Sequence, residues 1–393
     1  MNSHRSPPHF RRQRSGFTWV ELLVVIVILG LLAALVLPVI QQTRTPARRT
    51  LCQSNLHNIN LAIQSYATTR RGEVPPLTGG YEIATPHPNQ HPGLTSEAPW
   101  TVALLPYLEQ GQLHDRLRIH KDNSLLHPAG STGGISASEA HLLAQTVIRV
   151  YLCPDTKNPT PGGLSYVANA GIIPFPVWAA ADTDTDHSEG LMDLGFNGYG
   201  VANRTGDDQG AVRATGVFWR SPIDTSGFES SPRRTSLDHI MLADGTSNTI
   251  LLSENIHTRS YDPLTGTGGW TSPATGDIAF GIAVPVTLVG AECRVALRDT
   301  AGGLGIANGT LADALTLSQT AVLPDSLINS NLKSAINGRS PRPSSQHPGG
   351  VNAAFADGSC RFLSERIDSS VYARLLSPMG GRYGQEQLSE SDF

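Results

Sequence analysis

Apolar and polar positions along this chain follow two patterns in succession. From Phe17 to Ile40 nearly every position is apolar, and Glu21 is the only ionisable residue in the run. As a helix this run is roughly 36 Å long at about 1.5 Å per residue, against a hydrocarbon core of about 30 Å. A basic segment with Arg5, Arg11, Arg12 and Arg14 precedes it. The pattern then turns amphipathic over 47–71. Cys52, Leu56, Ile59, Ile63 and Tyr66 recur at spacings of four and three, which puts them on one helix face. Gln53, Asn55, Asn58 and Gln64 fall on the opposite, polar face. Pro46 stands between the two patterns, where a helix is expected to kink or be interrupted.

Beyond Tyr66 the periodicity is shorter and more broken. Prolines crowd 72–99, which reads as loop. A second helix is expected from Trp100 to Leu117 with a break at Pro106, and a short one from Glu139 to Tyr151. Ser165–Gly171 reads as strand and turn, and Asp244–Glu254 as a turn feeding a strand. Residues 172–238 and 257–343 have little periodicity, the latter expected to hold short strands. Val351–Phe355 and Ser359–Leu363 flank Asp357-Gly358, a hairpin signal with a type I′ preference. Ser370–Leu376 reads as a short closing helix. Together these elements predict an α+β fold: a long N-terminal helix packed on an antiparallel sheet, with a loop-rich head.

Composition sharpens this picture. Of 393 residues, 39% are hydrophobic and only 16% charged, with 39 Gly and 27 Pro, which suits a loop-rich, strand-containing extracytoplasmic protein. A net charge of −4 gives no reason to expect a nucleic-acid partner. The four cysteines lie in the part expected outside the cytoplasm, where disulfides persist. On the residues alone all three pairings stay open. Arginines flank both ends of the apolar run, so charge bias alone does not orient it.

Gly16-Phe17-Thr18, Glu21 and the Leu-Leu-Val-Val run resemble the type IV prepilin cleavage and methylation motif. A secretory signal peptide fits less well, because the apolar run is too long and Leu32-Ala33-Ala34-Leu35 is a poor cleavage site. The resemblance implies cleavage after Gly16 by prepilin peptidase, methylation of the Phe17 amine, and pairing of Glu21 with that amine on a neighbouring copy. It divides the chain into a leader (1–16), a membrane-spanning helix (17–40), its amphipathic continuation (41–71) and an extracytoplasmic head (72–393). The expected location is the cytoplasmic membrane, single-pass, with the lipid bilayer and copies of the chain or related subunits as partners.

Later blocks resemble a large bacterial family of prepilin-like proteins of unknown function, similar at the N-terminus to type II secretion major pseudopilins. They are Arg48–Leu56, Leu104–Gln110, Leu152-Cys153-Pro154-Asp155, Asp244–Thr249, His347–Gly350, and His347 followed after nine residues by Asp357-Gly358. The resemblance favours Cys52–Cys153, whose members both fall in family blocks. It also favours Cys293–Cys360, whose members both depart from the common pattern.

The implied function is structural, a pilin or pseudopilin-like subunit; a membrane-tethered solute- or carbohydrate-binding module is the competing class. No nucleophile-elbow, zincin or phosphate-loop motif is present, and no enzyme is expected. His347 and Asp357 could form an acid/base pair, but the simpler reading has Asp357 shaping the turn and His347 hydrogen-bonding near the hairpin. Asp182, Asp184, Asp186 and Asp193 occupy positions one, three, five and twelve of an EF-hand count, with His187 where glycine is required. A solvated acidic loop is the expected state and calcium the alternative; no other cofactor is expected. The histidines elsewhere are scattered, and no zinc site is expected.

Overall fold

Helix α1 spans Trp19–Thr69. The computed structural model describes residues 18–80, 97–119, 142–155, 161–174, 214–219, 235–262, 268–272, 275–284, 286–289, 292–298, 304–306, 327–330, 332–333, 337–338, 340 and 342–383. The chain divides into two units, Met1–Arg48 and Arg49–Phe393. In the first, the amino end of α1 is closed by a capping box. Glu21 Oε2 accepts from the Thr18 N–H and Oγ1, both at 2.9 Å, while Thr18 Oγ1 accepts from the Glu21 N–H at 3.3 Å. The large apolar side chains from Trp19 to Leu32 are exposed. Among the described residues no helix is long and apolar enough to cross a membrane; the side chains of 35–45 are not among those described. The expected interruption at Pro46 is not formed, and the helix covers it. An interior proline costs a helix about 3 kcal/mol through its missing donor and its ring clash, and the remaining turns of this 51-residue helix carry that cost.

In the second unit, the face expected from spacing is the buried one: Cys52, Leu56, Ile59, Ile63 and Tyr66 all enter the core. The polar face departs from expectation. Gln53 and Gln64 donate to the carbonyls of Cys360 and Ala356, and Asn55 to that of Leu152. Asn60 donates to the Phe355 carbonyl at 2.8 Å, and His57 Nδ1 lies 3.2 Å from the Gly358 carbonyl. Residues 53, 57, 60 and 64 thus form one helical stripe along the C-terminal hairpin. Of the four polar residues named for that face, only Asn58 is exposed.

The loop over 72–99 carries a short ladder, β1 (Thr78–Gly80) antiparallel to β2 (Glu97–Pro99). The expected second helix breaks as its proline dictates: α2 (Trp100–Leu104), a 3-10 turn over Leu105–Leu108, then α3 (Gly111–Ile119). The region expected as helix up to Tyr151 ends instead in a 3-10 turn, Arg149–Tyr151. Next come β3 (Tyr166–Pro174), α4 (Leu237–Leu242), β4 (Ile250–Glu254), α5 (Thr275–Ile278) and β5 (Ala279–Val284). Strands β6 (Val286–Val289), β7 (Glu292–Arg298) and β8 (Leu304–Ile306) form a separate antiparallel sheet. The chain closes with β9 (Gly350–Phe355), β10 (Cys360–Ser364) and α6 (Ser369–Leu376).

The main sheet has the order β10-β9-β4-β3-β5. It is mixed rather than antiparallel, because β5 lies parallel to β3. Both faces are covered. Tyr166, Ala168, Ala170, Leu252 and Ala354 share a core with the α1 residues and Trp100. Val167, Ile250, Val351, Ala353 and Phe355 share the other with Tyr372, Leu375 and Leu376 of α6. The alternation along β3 and β9 is the period-two pleat of a strand buried on both sides. A register shift between Ile250 and Leu252 accounts for the break in alternation on β4.

The terminal hairpin is present, but its turn is not type I′. Gly358 has φ +90° and donates to the Phe355 carbonyl at 3.0 Å, while Asp357 is not among the residues of positive φ. Phe355 N–H donates in turn to the Ser359 carbonyl. That is a three-residue loop, Ala356-Asp357-Gly358, with glycine in the left-handed position. Ala356 carries a Cβ that disfavours the positive φ a type I′ turn needs.

Candidate functional site: a buried cysteine, histidine and carboxylate cluster

Four separate segments bring Cys52, Cys153, Glu254 and His347 together. Cys52 comes from the buried face of α1 and Cys153 from the turn before Asp155. Glu254 ends β4, and His347 precedes β9. Their ligand-type atoms all lie within 4.8 Å of one another, and all four residues are buried. Cys52 and Cys153 form a disulfide that closes a sequence separation of 101 residues.

His347 is the centre of the cluster. Its Nε2 lies 3.2 Å from Glu254 Oε1 and 3.7 Å from Cys153 Sγ, and its Nδ1 lies 3.5 Å from Asp155 Oδ2. The backbone at His347 is fixed: its backbone N–H donates to Ser345 Oγ at 3.0 Å, and that hydroxyl donates to the Gly350 carbonyl. Glu254 is held equally firmly, with Oε2 accepting the Asn352 N–H at 2.8 Å and Oε1 accepting Asn352 Nδ2 at 3.0 Å. Tyr166, opposite Glu254 in the β3–β4 ladder, donates its hydroxyl to the Cys52 carbonyl at 3.2 Å. Burial, and then the Glu254 charge, hold the Tyr166 phenol well above its ordinary pKa. A buried imidazole between two carboxylates and against sulfur is costly unless paired; here Nε2 faces the Glu254 carboxylate, while Nδ1, 3.5 Å from Asp155 Oδ2, makes no hydrogen bond among the described residues.

The expected relations among site residues are met unevenly. Cys52–Cys153 is formed. Cys293–Cys360 is not: Cys360 is a free thiol, half-buried on β10. Cys360 packs beside the α1 core, whereas Cys293 sits on β7 in the separate sheet. Burial, and then the Asp357 charge, push the Cys360 thiol up to about 11. His347 and Asp357 are not a pair. His347 contacts Glu254, Asp155 and Cys153, while Asp357 accepts from the Ser359 N–H at 2.8 Å and lies 3.7 Å from Arg361. Strand β9 separates them, roughly 20 Å at about 3.3 Å per residue. Asp357 and Gly358 shape the turn as expected. Gly16, Phe17, Asp182, Asp184, Asp186 and Asp193 lie outside the described residues.

Glu254 and Asp155 were not singled out by sequence reasoning. The available signal was a carboxylate closing the otherwise apolar Ile250-Leu-Leu-Ser run, and an aspartate two residues after a cysteine.

A helix opened by a Thr-x-x-Glu cap, apolar and exposed along its first turns, precedes an α+β head; its N-terminal sequence is of prepilin type. Residues 11–37 match the prokaryotic N-terminal methylation motif. Residues 41–370 match the family described as "Protein of unknown function (DUF1559)", and the chain belongs to that family. It is also similar to the type II secretion system core protein G of Pseudomonas aeruginosa, 45% identical over 56 residues. That match covers 14% of this chain and 39% of the relative, so the chain spans well under half of that protein's length. No solved structure matches the chain.

Proposed function

We propose that the chain is a pilin-like structural subunit. Prepilin peptidase cleaves it after Gly16 and methylates the Phe17 amine. The α1 helix anchors it in the cytoplasmic membrane, the head lies outside the cytoplasm, and copies associate through their helices. The reading has no catalytic step. The observation that carries it is the unbroken exposure of large apolar side chains from Trp19 to Leu32, all within the matched methylation motif. Such a surface needs lipid or like helices to cover it. The similarity to the secretion core protein lends support, since its 56 matched residues are enough to hold an N-terminal helix.

The capping box refines the part Glu21 plays. Its carboxylate already accepts two hydrogen bonds from Thr18, one residue from the amine that cleavage would free. A carboxylate near the membrane interior calls for a positively charged partner, and the Phe17 amine of a neighbouring copy supplies one. Glu21→Gln separates the two roles, because glutamine also completes a capping box but carries no charge. The expected result is a mature protein beginning at N-methyl-Phe17, with cross-linked oligomers lost in both Glu21→Gln and Glu21→Ala. Oligomers that persist in Glu21→Gln but vanish in Glu21→Ala would make Glu21 a cap alone. An intact Met1 terminus would sink the prepilin reading.

A further inference from the structure

We propose that, once the Cys52–Cys153 disulfide is reduced, Cys52, Cys153, His347 and Glu254 become a four-ligand site for a divalent cation of the zinc class. The ligand types suit such an ion: two thiolates, one imidazole and one carboxylate, a borderline-soft set. Bond lengths of about 2.3 Å to sulfur and about 2.0–2.2 Å to nitrogen and oxygen place tetrahedral ligand pairs roughly 3.4–3.8 Å apart. His347 Nε2 lies 3.2 Å from Glu254 Oε1 and 3.7 Å from Cys153 Sγ, both close to that spacing, and all four ligand atoms lie within 4.8 Å of one another. The main adjustment is separation of the two sulfurs to roughly 3.8 Å once their bond is broken.

The surroundings are those of a metal ligand set. His347 aims Nε2 into the cluster, while Nδ1 makes no hydrogen bond among the described residues and lies 3.5 Å from Asp155 Oδ2, a carboxylate that needs only a small approach to orient a ligating ring. Glu254 is oriented by both the N–H and the side-chain amide of Asn352. With four protein ligands, all buried, no position is left for water or substrate, so the site is structural rather than catalytic.

The chemistry balances with a dithiol as reductant. Two electrons and two protons pass to the Cys52–Cys153 bond, the sulfur–sulfur bond breaks, and the dithiol becomes a disulfide. Cation binding then displaces the two thiol protons to solvent; a disulfide oxidant that takes two electrons from the thiolates, and two protons from solvent, becomes a dithiol as the sulfur–sulfur bond re-forms and the cation leaves. In either state α1 stays tied to the turn at 153, by the covalent bond in one and by the cation in the other; the cation also ties it to β4 and to the turn at 347.

Full-length protein in detergent, reduced with a phosphine and freed of metal, tests this by cobalt(II) titration. The expected result is one equivalent bound, with thiolate-to-cobalt charge transfer and tetrahedral ligand-field bands. Zinc should displace the cobalt, and the air-oxidised protein should show neither band. Asp155→Asn should weaken binding about 10–100-fold. His347→Ala and Glu254→Gln should weaken it at least as much, while their oxidised forms keep the linked Cys52–Cys153 peptide. The wild-type cobalt spectrum stands without any variant. Absence of thiolate charge transfer in the reduced wild type, or equal binding by the oxidised protein, would overturn the proposal. So would affinity unchanged in both ligand variants.

Discussion

Removing the Cys52–Cys153 bridge is the perturbation whose size the structure sets most directly. The bridge closes 101 residues of sequence. Chain entropy for a loop of that length gives about 4.7 kcal/mol, with about 2–4 kcal/mol typical of measured bridges because the unfolded chain is not fully random. We expect about 3 kcal/mol for the double change Cys52→Ala, Cys153→Ala. At a urea slope of about 3 kcal/mol per molar, the midpoint falls by about 1 M. Each single change should cost nearly as much as the double, because a bridge is lost whole; a double-mutant cycle reads this as strong coupling. Urea unfolding of the full-length protein in detergent, without added metal, measures all four species. Single and double effects that add, or a midpoint shift below about 0.3 M at that slope, would show that the bridge does not hold α1 to the head.

Other expectations concern the C-terminal hairpin and one half-buried acid. Cys360, pushed up to about 11, should react with iodoacetamide at pH 8 on the order of 100-fold more slowly than an ordinary thiol; peptide mapping should find it unlinked, and a Cys293–Cys360 peptide would contradict the structure. A Cβ at Gly350 would stand 1.9 Å from the Leu363 carbonyl oxygen, so Gly350→Ala should lower stability by about 1–3 kcal/mol, read as a urea midpoint. Asp244 is held above the ordinary carboxylate pKa by burial, partly offset by the Gly381 and Gly380 N–H donors. Its contribution is therefore fully present below the unfolded carboxylate value and lost as pH rises through the raised one. Asp244→Asn should be more stable than wild type at pH 7 and no more stable near about pH 3; equal midpoint differences at the two pH values would refute this.

What could be read from sequence was local and periodic. The buried face of α1 repeats over several turns, so Cys52 to Tyr66 fell in the core as expected. Pro106 marked its break because a proline acts on its own turn. The direction of β5 was not legible, since a short apolar strand looks the same in a parallel or antiparallel ladder. Nor was the use of Gln53, Asn60 and Gln64: amides that donate to strand carbonyls resemble amides that face water until the partner strand is placed. The cluster at His347 was hidden by distance along the chain. Its members come from residues 52, 153, 254 and 347, and ligand spacing rules are built for members a few residues apart.

The nine-residue spacing between His347 and Asp357-Gly358 acquires a physical meaning from this arrangement. Six of those nine positions are β9, so the spacing measures a strand rather than a contact. At one end, Gly349 takes φ +87° and Gly350 leaves no room for a side chain, which turns the chain so that His347 enters the cluster. At the other, Gly358 at φ +90° folds the hairpin back on itself. Both ends meet α1, through Cys52 beside His347 and through His57, Asn60 and Gln64 beside the turn. The strand between cannot change length by one residue without exchanging its faces. Val351, Ala353 and Phe355 would then leave the core they share with α6. A fixed spacing therefore follows from docking one helix on both ends of one strand, and it requires no reaction between the histidine and the aspartate.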